Sequence, residues 1–143
     1  MKKITFSLLA TIFFTSIFHT QTVSIPGTNF ETALVNSGID TNSINSNILI
    51  SDAQGITTLN ISNENITDIT GISAFEDLVS LNCINNAITT LNLSQNLSLE
   101  TLVCGNNHLT SLNISQNNVL RLLNCNNNSL SNANQGFRTK KQA

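Results

Sequence analysis

The sequence predicts an α/β repeat solenoid, a short stack of about four coils with parallel strands behind an N-terminal helical cap. Three observations support this prediction. An apolar leader precedes the fold, a short helix pattern precedes the repeats, and a pattern of Leu, Cys and Asn recurs every 21 residues. A repeat of that length is typical of a solenoid, because each unit buries its apolar side chains only against its neighbours.

The leader, residues 1–20, has the features of a secretory signal peptide. Lys2 and Lys3 form a basic start, an apolar run extends from Ile4 to Phe18, and a polar segment follows. The run is shorter than the ~20 apolar residues that a membrane-spanning helix needs, which disfavours the alternative of an uncleaved anchor. We place cleavage before Gln21, expect no stable membrane span afterwards, and predict a secreted, periplasmic or cell-surface protein.

Residues 21–55 are predicted to form the helical cap. Thr28 or Asn29 can begin a short helix, Phe30 and Leu34 lie on its apolar face, and Gly38 ends it. A second capped turn is predicted at residues 51–54. Such a cap covers the apolar end of the first coil, which has no preceding coil to pack against.

Residues 56–130 contain the repeat. The stretch from Leu78 to Ile88 recurs from Leu99 and again from Leu120, and a looser copy begins at Ile56. Because side chains alternate across a strand, Leu81 and Cys83 are predicted to point into the stack and Asn82 outward, while Ile88 closes the turn that follows. Copies in register then form three buried columns: Leu59, Leu81, Leu102 and Leu123; Ile61, Cys83, Cys104 and Cys125; Ile66, Ile88, Leu109 and Leu130.

One Asn recurs where each strand ends, at Asn86, Asn107 and Asn128. A backbone that turns there leaves amide and carbonyl groups without a strand partner, and an Asn amide both donates and accepts. We therefore predict a structural Asn ladder at these three positions.

The unit resembles the leucine-rich repeat family, whose pattern is Leu-x-x-Leu-x-Leu/Cys-x-x-Asn-x-Leu. It is most similar to internalin-type repeats and to Cys-containing repeats of secreted proteins from Bacteroidota-type bacteria. The resemblance covers four copies, about half of the chain. It implies coils made of a strand, a turn and a return segment, and a non-catalytic extracytoplasmic module for protein binding or adhesion.

The outward side chains of the predicted strands form a candidate concave binding face. This face is polar and nearly uncharged, has a small apolar area, and lacks the aromatic and Arg side chains that dominate tight interfaces. It predicts a binding surface for an unknown protein or surface glycan, at Thr58, Asn60, Ser80, Asn82, Ile84, Thr101, Val103, Leu122 and Asn124.

No pattern of catalytic, metal-binding or cofactor-binding residues is found, so we predict neither an enzyme nor a cofactor. His108 occupies a variable outward position with no nucleophile near it in sequence. The three cysteines lack metal-ligand spacing and are predicted to be buried thiols, with a Cys83–Cys104 disulfide as the alternative. A calcium site from Asp68, Glu76 and Asp77 is disfavoured by their spacing.

Charge excludes nucleic acid as a partner. All eight acidic residues lie between Glu31 and Glu100, whereas Arg121 is the one basic residue from Gln21 to Leu130. A domain this acidic repels phosphate backbones.

Residues 131–143 are predicted to be a polar, basic, disordered tail. The repeat pattern stops within a coil, since Ala133 and Gln135 occupy positions that hold Leu or Ile in earlier copies. The alternative function is therefore a truncated structural fragment of a larger leucine-rich repeat protein, with no independent activity.

Overall fold

The computed structural model describes residues 21–131 and 138–139. These residues contain two β-sheets and two α-helices. The predicted signal peptide and most of the predicted tail lie outside these residues. Within the described segments, no helix is both long enough and apolar enough to cross a bilayer.

The N-terminal segment combines helix and sheet. Strand β1 (Thr22–Ser24) pairs antiparallel with β2 (Asn47–Leu49), and helix α1 (Thr28–Asn36) lies between them in sequence. A short helix, α2 (Ile50–Ala53), follows directly, at the position of the predicted second turn. The β1–β2 pair was not part of the sequence prediction, because such short strands carry almost no alternation signal.

Helix α1 begins and ends near glycines. Gly27 is its N-cap and no side chain caps it, whereas the sequence favoured Thr28 or Asn29. A Cβ at position 27 would meet the backbone carbonyl of Asp68, so glycine allows the cap to approach the first coil closely. At the other end Gly38 has φ +73°, a left-handed conformation that glycine adopts without strain.

The predicted parallel strands are confirmed. Strands β3 (Thr58–Asn60), β4 (Ser80–Asn82), β5 (Thr101–Val103) and β6 (Leu122–Asn124) pair in parallel, in sequence order. Leu59, Leu81, Leu102 and Leu123 stand in register across the sheet. A 3-10 helix at Ile72–Ala74 forms part of the first return segment.

The core runs along the inside of this stack. All residues of the three predicted columns are buried. Leu91 and Leu93 are buried on the return side, while Leu112 and Ile114 are partly buried there. Phe30 of α1 contacts Phe75 with ring centroids 6.5 Å apart, so the cap and the first coil share one core.

A last strand, β7 (Arg138–Thr139), pairs antiparallel with β6. These two residues belong to the segment predicted as a disordered tail. They give the free edge of β6 a backbone partner, which matters because unpaired edges invite association with other chains.

Candidate functional site

The outward side chains of β3 to β6 form the candidate binding face, and the strand register sets their arrangement. Ser80, Thr101 and Leu122 align in one row, and Asn82, Val103 and Asn124 in the next. Thr58 and Asn60 extend the two rows onto β3 and are exposed, whereas the other side chains of the rows are half-buried. The structure thus brings the strand residues of the predicted face together on one side of the sheet.

Three branched apolar side chains cross this face diagonally. Leu122 lies in the first row on β6, Val103 in the second row on β5, and Ile84 just beyond the end of β4. All three are half-buried, so each keeps part of its surface accessible. We call these three residues the apolar diagonal.

The Asn side chains beside the apolar diagonal are held in fixed positions. The Oδ1 atoms of Asn60, Asn82 and Asn124 each accept a hydrogen bond from the backbone N–H two residues later, at 3.2, 3.3 and 3.2 Å. Such local bonds are the reason that Asn is common where strands end. These bonds fix the orientation of the three amide groups on the outward face.

The predicted Asn ladder, which we call the inner ladder, holds successive coils together. Asn107 Nδ2 donates to the carbonyls of Cys83, Cys104 and Gly105 at 2.9 to 3.2 Å, and its Oδ1 accepts from Ile88 N at 3.0 Å. Asn86 and Asn128 make the equivalent bonds one coil away on either side. These side chains replace the strand partners that the turning backbone has lost.

A second row of Asn side chains was missed by the sequence reasoning. This outer ladder consists of Asn63, Asn85, Asn106 and Asn127. From Asn85 onward, each Nδ2 donates to the Oδ1 of the equivalent Asn one coil earlier, at 2.6 to 3.0 Å. Every member has a positive φ between 53° and 62°, which Asn tolerates better than most residues. The recurring Asn-Asn pair at 85–86, 106–107 and 127–128 was the available signal.

Two further Asn residues, also missed, lie inside the return side. Asn96 and Asn117 are buried, and their Nδ2 groups donate to backbone carbonyls in the preceding coils at 2.8 to 3.0 Å. The Oδ1 atoms of both have no hydrogen-bond partner among the described residues.

The cysteine column lies in the core. Cys83, Cys104 and Cys125 are buried and no disulfide joins them. Burial raises the pKa of Cys83 to about 12, and it raises the pKa of Cys104 still further with help from the neighbouring thiols. Since the thiolate is the nucleophile and the metal ligand, Cys83 and Cys104 act as small apolar core side chains.

The polar residues that could contribute to catalysis or metal binding lie apart from one another. His108 is exposed, and its backbone N–H donates to the Ile88 carbonyl. Across residues 21–131 and 138–139, no three His, Cys, Asp or Glu side chains are placed to hold a metal ion. Arg121 and Glu100 form an ion pair of 3.5 Å beside the sheet, with side chains 63% and 42% exposed. Solvent screening at that exposure makes the pair weak.

Comparison with solved structures identifies the fold. The chain is similar to the functional domain of InlJ from Listeria monocytogenes, which includes a cysteine ladder, with 36% identity and a TM-score of 0.68. It is also similar to the internalin inlF from Listeria monocytogenes, with 24% identity and a TM-score of 0.68. No protein-family model and no curated protein matches the sequence.

These matches cover much of this chain but a small part of the other proteins. They include 80% and 76% of this chain, which spans 26% of the InlJ chain and 32% of the inlF chain. The matches and the parallel sheet show an internalin-like leucine-rich repeat fold.

Proposed function

We propose that this chain is a non-catalytic, extracytoplasmic leucine-rich repeat module that binds a protein partner on the outward face of its sheet. The apolar diagonal of Ile84, Val103 and Leu122 is the observation that carries the proposal, because accessible branched side chains among oriented polar groups favour a protein surface. The internalin-like fold also supports a binding function, by analogy between similar architectures. The predicted signal peptide supports the location outside the cytoplasm.

The composition of the face favours a partner with little net charge at the contact. Its rows consist of hydroxyl, amide and aliphatic side chains, and Glu100 and Arg121, which precede β5 and β6, are paired with each other. The fixed amide donors of Asn60, Asn82 and Asn124 suit backbone carbonyls. A neutral glycan is the second candidate partner, since amide and hydroxyl groups also bind sugar hydroxyls.

A pair of identical substitutions tests the proposal. Val103→Glu places a charge on the apolar diagonal, whereas Val119→Glu places the same charge on a side chain that is 47% exposed outside the sheet. Immobilised wild type and both variants are incubated with solubilised surface proteins, and the captured proteins are identified by mass spectrometry. We expect a defined protein to bind wild type and Val119→Glu and to be lost with Val103→Glu.

Two results would contradict this function. Equal capture by all three proteins would move the contact away from the apolar diagonal. Capture no greater than on blank resin, together with binding of wild type to a neutral glycan array that Val103→Glu abolishes, would assign the face to a glycan.

A further inference from the structure

A groove lies between the return segments of the first three coils, and two adjoining cavities form it. The first cavity has a volume of about 170 Å³ and lies between the first and second coils, where Thr70 and Ser73 face Thr90 and Asn92. The second has a volume of about 300 Å³ and lies between the second and third coils. Thr90 and Asn92 line both cavities, so the two adjoin at these side chains. We call the two cavities together the return groove.

The repeat places polar side chains at equivalent positions along the return groove. Thr90 and Asn92 of the second coil correspond to Ser111 and Asn113 of the third, 21 residues later, and all four residues are exposed. Asn92 and Asn113 also pair through a parallel β-bridge, which holds the two return segments side by side. Paired backbones lie about 4.8 Å apart, so the groove presents hydroxyl and amide groups at a regular spacing.

Hydrogen bonds to the backbone fix the orientation of several of these side chains. Asn92 Oδ1 and Asn113 Oδ1 each accept from the backbone N–H two residues later, at 3.1 and 3.0 Å. At the first coil, the backbone N–H and the hydroxyl group of Thr70 both donate to Asp68 Oδ1, at 2.8 and 2.7 Å. The polar lining is therefore partly ordered before a ligand arrives, which lowers the entropy lost on binding.

The apolar residues of the return groove contribute little accessible surface. Ile69, Ile72 and Leu91 line it, but they are only 2%, 3% and 8% exposed. Tight protein contacts usually rely on an apolar or aromatic anchor in a pocket, and most small-molecule sites are lined largely by apolar side chains. The accessible residues of this groove are instead those that carry hydroxyl and amide groups.

The return groove also lacks charge. Among the described residues, none that lines either cavity is acidic or basic. Glu76 and Asp77 line a separate cleft between the cap and the first coil. An anionic ligand needs cationic partners, and a calcium or magnesium ion needs several oxygen ligands that include carboxylates. The lining therefore disfavours phosphate, sulfate and metal ions as ligands of the groove.

We propose that the return groove binds a neutral oligosaccharide. A sugar hydroxyl both donates and accepts hydrogen bonds, and the hydroxyl and amide side chains of the groove do the same. Thr90 and Asn92 form the centre of the site because they line both cavities. Since the groove extends across three coils, it suits a chain of sugar units better than a single sugar.

This site is separate from the outward face of the sheet. No residue of β3 to β6 lines either cavity. The chain therefore has one surface for the proposed protein partner and another for a glycan, and the second proposal does not depend on the first.

Two matched pairs of substitutions test the site. Thr90→Glu adds a charge and bulk to the centre of the groove, whereas Thr89→Glu adds the same group at an exposed neighbour that lines neither cavity. Ser111→Glu and Thr110→Glu repeat this comparison one coil later. The second pair keeps the test open if Thr90→Glu does not fold, and thermal melting followed by circular dichroism checks the folding of all four variants.

The binding assay uses an array of short neutral hexose and N-acetylhexosamine chains, with sialylated and sulfated chains beside them. We expect wild type, Thr89→Glu and Thr110→Glu to bind the same neutral chains. Thr90→Glu and Ser111→Glu should weaken that binding by about tenfold or more, because the inserted side chain displaces the ligand from its hydrogen-bond partners. The charged chains should bind less well than the neutral ones, since the groove offers no cation to them.

An NMR titration locates the contact. When the neutral chain that binds best on the array is added to the full chain, the backbone amide signals of Asn92, Ser111 and Asn113 should shift. Those of Thr58 and Thr101, on the outward face of the sheet, should stay in place.

Four results would overturn the proposal. They are no binding of wild type to any neutral chain, equal binding by Thr90→Glu and Thr89→Glu together with equal binding by the second pair, preferential binding of sialylated or sulfated chains, and binding that Val103→Glu abolishes while Thr90→Glu does not. The last result would move the glycan to the outward face. Capture of an uncharged peptide that Thr90→Glu abolishes, without any glycan binding, would assign the groove to a protein ligand instead.

Discussion

Asn107 illustrates how single side chains hold the coils of this protein together. Its amide makes four hydrogen bonds that join two consecutive coils, although the side chain carries no charge. A buried backbone group without a partner costs more than a typical hydrogen bond contributes, so such a residue acts mainly by preventing that cost. The low content of charged residues, 10%, fits a fold in which Asn completes the backbone hydrogen bonding.

Replacing Asn107 by Ala should therefore be strongly destabilising. We expect the free energy of unfolding to fall by about 2–4 kcal/mol, because several backbone groups lose their partner at once. Urea denaturation followed by circular dichroism measures this. His108→Ala, an exposed neighbour, should change the same quantity by less than about 0.5 kcal/mol, and an unchanged midpoint for Asn107→Ala would refute the role of the inner ladder.

The buried thiols make a second prediction at the level of residues. At about pH 8, iodoacetamide should leave Cys83 and Cys104 unlabelled in the folded protein and label both in urea, because burial and a raised pKa suppress the thiolate. Mass spectrometry of proteolytic peptides measures the labelling of each cysteine. A cysteine introduced by Ser98→Cys, on an exposed site, should react at once, and equally fast labelling of Cys83 would contradict the buried column.

The same pKa shift sets a pH dependence at the alkaline end. Folding raises the pKa of Cys83 from 9.0 to about 12. Because the folded state holds the proton more tightly, the contribution of Cys83 to stability is complete below the unfolded pKa and declines as the pH rises toward the folded one.

At the level of elements, the junction between the cap and the first coil depends on close backbone approach. Gly27 packs against the Asp68 carbonyl, Asn29 Nδ2 donates to the Asn65 carbonyl at 2.8 Å, and Gly55 N–H donates to a carboxylate oxygen of the first return segment at 2.9 Å. The N-terminal segment therefore contacts the first coil through backbone groups as well as apolar packing.

Gly27→Ala should disrupt this junction. The added Cβ meets backbone that has no side-chain freedom, so we expect a loss of about 1–3 kcal/mol in the free energy of unfolding. Gly38→Ala is the matched control, because its Cβ would meet nothing within 4 Å and only its φ of +73° opposes it. That conformation costs an alanine about 1 kcal/mol.

Hydrogen exchange of the α1 amides distinguishes the two substitutions. Faster exchange throughout α1 in Gly27→Ala, with Gly38→Ala affecting only the helix end, is the expected result. Identical exchange in both variants would contradict a tight cap junction.

At the scale of the whole molecule, the acidic residues and the candidate binding face are separated. The acidic side chains of the described residues belong largely to the cap and the first coil, while the rows on β3 to β6 are uncharged. Long-range electrostatics should therefore contribute little to binding through the proposed face.

Binding through the outward face should accordingly be nearly independent of salt. For the partner of the proposed function, we expect the Kd to change by less than about threefold between about 0.05 and about 0.5 M NaCl, because screening acts on charge pairs that this face lacks. Surface plasmon resonance at both salt concentrations measures it. A weakening of about tenfold at high salt would place the contact on the acidic cap instead.

The columns of the solenoid could be predicted from the sequence alone. A repeat of 21 residues, preceded by one looser copy 22 residues earlier, places equivalent residues in register, so alternation within one strand assigns the inward and outward side chains of all the copies. For the same reason the sequence predicts the inner Asn ladder and the strand residues of the candidate face.

Only the tertiary structure decided the features that depend on contacts between unlike segments. The burial of Glu31 and Asp40, the approach of Gly27 to the first coil, and the antiparallel pairing of β7 on β6 involve residues that no repeat relates. A repeated sequence predicts contacts between equivalent positions of successive coils. The packing of the cap and of the last strand involves segments that occur only once, so no repeat predicts it.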